Sequence, residues 1–255
     1  MKIMKTAVVT GASSGLGAEF VKAIISDRPE IGKIIVIARR ADRLDELKKE
    51  FGDKISPLPL DLTSDDFGDK LTEALKGEDT ELTLLVNNAG FGKLGDFCDI
   101  STEDNALMVR LNCEALTRVA SICLKFMKEG GEIINTCSIA SFAPNTRMAT
   151  YSSTKAYVMS LSRAMRGELK SKGINVLACC PGPMETEFLP LANITKGASH
   201  TFDTLPRVNA GEMAKKSLRA SRRKKAVYTN KLFFKFYRLV AKVLPHCIVM
   251  KMAKT

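Results

Sequence analysis

The chain is expected to fold as an α/β protein: one doubly wound parallel sheet of about seven strands, with helices on both faces. Three features predict this. Short apolar runs alternate with stretches of helical periodicity along most of the sequence. One run, Ile34-Ile35-Val36-Ile37, shows no polar alternation, which suits a strand covered on both faces. Strands separated by helices imply right-handed crossovers, and these build parallel sheets. The length, 255 residues, suits one domain with a substantial core.

Strands are expected at 6–10, 34–38, 56–60, 82–87, 132–138, 175–180 and 226–228. The first contains Ala7-Val8-Val9 and leads into Thr10-Gly11-Ala12-Ser13-Ser14-Gly15-Leu16-Gly17, after which a helical pattern begins at Ala18. A glycine-rich turn is as often an ordinary loop as a phosphate cradle. The strand before it and the helix after it favour the cradle, because Gly11 allows a tight turn and the later glycines let backbone and helix N-terminus approach a pyrophosphate. After the sixth strand, residues 184–206 break the alternation with Pro190, Gly197 and Pro206. This stretch reads as a long loop, with or without short helices, over the C-terminal edge of the sheet, where such loops usually serve as lids or substrate walls.

Tyr151 and Lys155 are four apart, so on a helix their side chains share one face. A phenol titrates near ~10, and a fixed ammonium beside it favours the phenolate. Such a pair is either an acid/base device for interconverting a carbonyl and an alcohol or a surface helix with a half-buried tyrosine. Tyr157, six residues on, points to another side of the helix.

Taken together, Thr10-Gly-x-x-x-Gly-x-Gly17, Asn87-Asn88-Ala89-Gly90, Asn112, Ser138, Tyr151-x-x-x-Lys155 and Pro181-Gly182 stand in an order and spacing that resembles the short-chain dehydrogenase/reductase family. The resemblance covers roughly residues 5–230 and implies a single Rossmann domain over 1–230. It also implies four catalytic residues. Tyr151 would exchange a proton with the substrate oxygen, and Ser138 would position that oxygen. Lys155 would lower the tyrosine pKa and hold the nicotinamide ribose, and Asn112 would support a water linked to Lys155. Blander roles are a strand-end cap for Ser138 and backbone satisfaction for Asn112. The implied dinucleotide contacts are Gly11, Ser13, Ser14, Gly15, Leu16 and Gly17 in the turn, Asp61 and Leu62 beside the adenine, Asn88, Ala89 and Gly90, Tyr151 and Lys155 themselves, and Pro181 and Gly182.

The second strand ends in Ile37-Ala38-Arg39-Arg40. Ala38 stands where the family's NAD-preferring members carry an acid, and arginine offers a planar donor fork suited to a 2′-phosphate. Arg39 and Arg40 therefore favour NADP over the alternative of two solvated loop cations. The activity so implied is NADP-dependent oxidoreduction between a ketone and a secondary alcohol. The apolar loop and tail suggest a hydrophobic substrate, steroid-like or of the 3-oxoacyl type. The competing reading is a catalytically silent dinucleotide-binding regulator or a membrane-peripheral protein.

Composition sets further bounds. Seven cysteines, an odd number without a C-x-x-C pair, read as small buried hydrophobes in a reducing, cytoplasmic setting. The two histidines, His200 and His246, lack ligand spacing, so no metal is expected. The basic start precedes an apolar run too short for a signal peptide, and no stretch of 18 or more apolar residues occurs. The expected partners are a small apolar ketone or alcohol and further copies of the chain, in a dimer or tetramer.

The net charge of +11 is local: Arg207 to Thr255 holds fourteen Lys or Arg and one acid, Glu212. Residues 231–255 read as a basic amphipathic helical tail whose helix stops before Pro245. Lys231, Lys235, Arg238 and Lys242 form one stripe, with large apolar residues around the remaining surface. Three roles stay open for it: packing on the body or a partner subunit, a lid over apolar substrate, and attachment to an anionic membrane. Nucleic acid is not favoured, because the aromatics belong to the apolar face instead of interleaving with the cations.

Overall fold

The computed structural model describes residues 4–76, 80–195, 197 and 199–252. Residues 1–3 and 77–79 of the expected domain, Lys196 and Ala198 of the expected loop, and 253–255 of the expected tail lie outside this description. Seven strands form one parallel sheet in the order β3-β2-β1-β4-β5-β6-β7. They are β1 (Met4–Thr10), β2 (Lys33–Ala38), β3 (Ile55–Pro59), β4 (Thr80–Asn87), β5 (Met127–Thr136), β6 (Asn175–Cys179) and β7 (Val227–Tyr228).

The unalternating strand sequences follow from burial on both faces. Ala7 and Val9 of β1, with Ile34 and Val36 of β2, pack with α1 (Gly15–Asp27), α2 (Ala41–Phe51) and α9 (Ala210–Arg222). Val8, Ile35 and Ile37 point the other way, toward α3 (Phe67–Leu75), α5 (Leu116–Leu124) and α6 (Ala149–Leu169). Arg28, at the end of α1, clamps one of these layers. Its guanidinium donates to both carboxylate oxygens of Glu132 on β5, at 2.7 and 3.1 Å, and to the Leu218 carbonyl of α9 at 3.1 Å.

Both limits of β5 differ from expectation for local reasons, while those of the other strands lie within two residues of it. β5 begins at Met127, which pairs with Leu82, but the register then shifts and pairing resumes only at Leu84 with Glu132. The intervening Lys-Glu-Gly-Gly run, with Gly130 at φ +87°, carries no strand signal. The same strand stops at Thr136, short of Ser138. There the Ser138 Oγ accepts the Ala140 amide at 3.1 Å and opens a short 3-10 turn, Ile139–Ser141.

The C-terminal edge of the sheet is roofed by residues 184–206 and the tail. Short helices α7 (Phe188–Leu191) and α8 (His200–Thr204) interrupt the long loop. Leu94, Met108, Met148, Tyr151, Ala192 and Ile194 make a small core beneath it. The tail is two helices, α10 (Leu232–Val243) and α11 (His246–Met252). α10 ends at the predicted place, before Pro245. α11 was not foreseen, and Val249 fixes it by packing with Ala143 and Ala241. Phe234 is fully buried in the main core and lies so close to Gly182 that a Cβ there would run into its ring.

Candidate active site

The site lies where the sheet's C-terminal ends open under the roof. A cavity of about 790 Å³ is lined by every residue expected in the site except Gly17 and Asn112. Those two act from behind its wall. A Cβ on Gly17 would strike the Gly11 carbonyl, so this glycine lets α1 start against the turn. Gly11 itself has φ +65°, and a Cβ there would meet the Ala89 Cα at 2.9 Å. Ser14 precedes α1 in extended geometry and makes no side-chain cap. The first amides of that helix are thus left for another acceptor, which fits the phosphates of a dinucleotide.

Thr10 knits the turn to the next strand. Its Oγ1 accepts the amides of Asn88 at 2.9 Å and Ala89 at 3.0 Å. Asn88 in turn donates to the Thr10 carbonyl at 3.2 Å and accepts from Thr136 Oγ1 at 3.3 Å. Asp61 follows β3. Partial burial pushes its carboxyl up, but two hydrogen bonds from Thr63 and the fields of Arg39 and Arg110 together outweigh that and hold it below the ordinary value.

Tyr151 sits in the first turn of α6, with Lys155 one turn later on the same face. Both are buried. The Lys155 Nζ lies 5.8 Å from the Tyr151 ring centroid and donates to the Thr136 carbonyl at 2.9 Å. The sequence suggested a phenol made acidic by this ammonium, yet the opposite direction prevails. Burial pushes the Tyr151 phenol up to about 12, against a smaller lowering by its hydrogen bond with Ser138. Burial also lowers the Lys155 pKa, and its ammonium is turned to a backbone carbonyl. The tyrosine ring is held between Gly92, where a Cβ would come within 2.6 Å, and Phe188 of α7, at a centroid distance of 5.7 Å.

Asn112 occupies a π-helical turn, Arg110–Ala115, between α4 (Thr102–Val109) and α5. Such turns aim a side chain that a regular helix would direct elsewhere. Its side chain is fully buried, accepts the Phe91 amide at 3.0 Å, and donates to the Phe91 carbonyl at 2.8 Å and Thr154 Oγ1 at 3.0 Å. A Cβ on Gly90 would lie 2.8 Å from Asn112 Oδ1 and 3.4 Å from Lys155 Nζ, so the three converge on one point. Tyr157 stands apart and exposed, 2.9 Å from Thr117 Oγ1.

One residue was missed. Glu187, in the loop before α7, receives a hydrogen bond from Arg40 at 2.8 Å, and Arg40 also donates to Ser13 Oγ at 3.1 Å. The Arg40 hydrogen bond, with one from Ser14, holds the Glu187 carboxyl below its ordinary value. Arg40 is therefore shared with an acid 147 residues away, while Arg39 makes no hydrogen bond among the described residues. No motif signals Glu187, because the contact exists only after folding. Among the described residues there is no group of three or more His, Cys, Asp or Glu that could hold a metal ion, and no helix is long and apolar enough to cross a membrane.

Known proteins share this arrangement. A sequence model described as short chain dehydrogenase matches residues 5–196. Serine 3-dehydrogenase of Agrobacterium fabrum is 32% identical over 186 residues, covering 72% of this chain and 73% of that protein. The very-long-chain 3-oxoacyl-CoA reductase of Bos taurus is 29% identical over 208 residues, covering 77% of this chain and 65% of the relative. A short-chain dehydrogenase from Sphingobium yanoikuyae, solved in complex with NADPH, superposes with a TM-score of 0.76 at 26% identity, covering 95% of this chain and 97% of that one. The matched residues hold the glycine turn, Ser138 and the Tyr151–Lys155 pair, and the chain belongs to the short-chain dehydrogenase/reductase family of oxidoreductases.

Proposed function

We propose that the protein is an NADP-dependent reductase of apolar ketones, or in reverse a dehydrogenase of the matching secondary alcohols. The observation carrying this is that Ser138, Tyr151 and Lys155 line the same cavity as the glycine turn on one side and the apolar roof on the other. Bound dinucleotide would supply the hydride. The turn from Gly11 to Gly17, with Asn88, Ala89 and Gly90, would hold its phosphates and ribose. Asp61 and Leu62 would flank the adenine, and Pro181 and Gly182 would lie along the nicotinamide. Arg39 would meet the 2′-phosphate, helped by Arg40 once Glu187 releases it.

The chain's own chemistry concerns the substrate oxygen. With its pKa pushed up to about 12, Tyr151 stays protonated at neutral pH and is the proton donor for reduction. Ser138 hydrogen-bonds the tyrosine and would bond the same oxygen, fixing the approach of the carbonyl. Lys155, anchored on Thr136, would hold the ribose, and Asn112 would fix the adjoining Phe91 segment and a water beside Lys155.

The apolar substrate is inferred from the roof. Met148, Phe188, Leu189 and Phe202 wall the cavity in the cluster that holds Tyr151, and Met184 and Leu205 line it as well. Family likeness alone does not choose, because the relatives' names span serine and very-long-chain 3-oxoacyl-CoA. The seven cysteines are free thiols, which suits a cytoplasmic protein, although only Cys123, Cys137, Cys179 and Cys180 are buried as expected, while Cys113 is partly exposed and Cys98 and Cys247 are exposed. A dimer or tetramer, and a peripheral membrane contact through the tail, complete the reading. The test is a screen of ketones from short and polar to long and apolar, followed by loss of reduced-nicotinamide absorbance. Turnover that rises with apolar chain length, and that requires Tyr151, supports the proposal. Turnover confined to small polar substrates defeats the substrate class.

A further inference from the structure

We propose that α10 seats the protein on an anionic lipid surface with the cavity mouth facing the bilayer, so that apolar substrate enters from the lipid. This rests on the reading of the cavity as a site for apolar ketones or alcohols. The helix presents two stripes with the same spacing. Leu232, Phe236, Leu239 and Val243 recur at four, three and four residues, the repeat of one helix face, and are 81%, 66%, 59% and 71% exposed. Lys231, Lys235, Arg238 and Lys242 recur in step with them, one residue earlier, and run alongside. The body covers only the opposite side, through Phe234, Tyr237 and Ala241.

An apolar stripe left in water beside a line of cations is the pattern of a helix that lies in a membrane interface. A second copy of the chain fits it less well. A two-fold contact through this face would bring the cationic stripe against its own equivalent, and 207–255 contains one acid, Glu212, to relieve fourteen cations. Anionic headgroups answer that charge directly. The same helix also walls the cavity: Phe234, Tyr237 and Val240 face it from the inner side. Phe233 belongs to both surfaces, lining the cavity while 54% exposed, and Leu191, at the end of α7, also lines the cavity and is 64% exposed. The cavity rim is thus apolar and open beside the stripe.

The chain contains no tryptophan, so a single introduced one reports alone. Full-length Leu239→Trp, on the stripe, and Leu191→Trp, on the rim, are mixed with phosphatidylcholine vesicles with or without phosphatidylglycerol, whose acyl chains are brominated. Both should sediment with the anionic vesicles, not with phosphatidylcholine alone, and both should be quenched. Lys235→Gln with Lys242→Gln should weaken partitioning on the order of tenfold or more. Phe236→Asp with Leu239→Asp, neither in the cavity wall, should abolish sedimentation and keep turnover of a short water-soluble ketone. The same pair should slow reduction of a long-chain ketone embedded in vesicles by about tenfold or more. The proposal is overturned if the protein ignores anionic vesicles, or if Leu239→Trp is quenched and Leu191→Trp is not. It is also overturned if the aspartates lower the light-scattering mass, which would make the stripe a contact between copies. A protein that reduces neither ketone defeats the functional reading instead, and the quenching pair still decides the orientation.

Discussion

The floor of the cavity and its roof are built on different principles. On the floor, Lys155 and Asn112 are buried with backbone partners within hydrogen-bond distance, and the glycine turn is fixed by contacts that a single Cβ would break. The roof, from Met184 to Leu205 with α10, holds Tyr151 by ring contact with Phe188 and faces the cavity with apolar side chains. Directional polar contacts fix atoms for chemistry, while apolar walls select by shape and size. Floor substitutions should therefore affect rate or cofactor choice sharply, and roof substitutions should act gradually.

The largest effect should come from Tyr151→Phe, which removes the proposed proton donor and keeps the ring that packs on Phe188. Turnover should drop about 10²- to 10⁴-fold with dinucleotide affinity nearly unchanged, both read from reduced-nicotinamide absorbance and a binding titration. Near wild-type turnover would place the proton donor elsewhere.

Stability against pH tests the burial of the same residue. The folded pKa of about 12 lies above the ordinary value of 10, so on raising the pH the unfolded chain ionises first. The stabilisation is complete below pH of about 10 and is lost between about 10 and 12. Its size is on the order of 2–3 kcal/mol, read by denaturant titration. Tyr151→Phe should remove only its own share of this loss, leaving the shares of Tyr228, Cys123 and Cys179, whose pKa values burial also raises to about 12, and of Tyr237 and Cys180, which burial raises as well.

At the adenine end, Arg39→Ala with Arg40→Ala should weaken NADP binding roughly ten- to a hundredfold and leave NAD little changed. Arg39→Ala alone should carry more of this than Arg40→Ala, because Arg40 is already engaged by Glu187. Equal losses for NADP and NAD would remove the 2′-phosphate from the account. Glu187→Gln frees Arg40 and should tighten NADP a few-fold. The smallest effect is expected on the outer roof. Lys235→Gln and Arg238→Gln should shift Tm by no more than a degree or two, since solvated charges contribute roughly 0–1 kcal/mol.

The floor was legible because its requirements are local. A turn that tolerates no Cβ demands glycine at 11 and 17, and one helical turn between phenol and ammonium demands a spacing of four. The sheet was legible for a similar reason, since residues buried on both faces at Ile34–Ile37 leave no polar alternation. Contacts between distant segments were not. Thr136 as the acceptor for Lys155, Glu187 as the partner of Arg40 and Phe188 against Tyr151 come from residues without motif context. The direction of the tyrosine shift was misjudged because spacing reports proximity and says nothing of desolvation. The tail's stripes were legible. Which stripe the body would cover was not, because that depends on Phe234 finding Gly182.

The Arg40–Glu187 pair joins the turn proposed to meet the adenine end of the dinucleotide to the loop proposed to wall the substrate. Anything that draws Arg40 toward a phosphate loosens one tether of that loop, and anything that holds the loop down changes what Arg40 can offer. If both sites bind as proposed, the two halves would in this way be thermodynamically linked, and linkage is reciprocal. A ligand bound under the loop must alter NADP affinity by the same factor by which NADP alters its own, and Glu187→Gln should bring that factor closer to one.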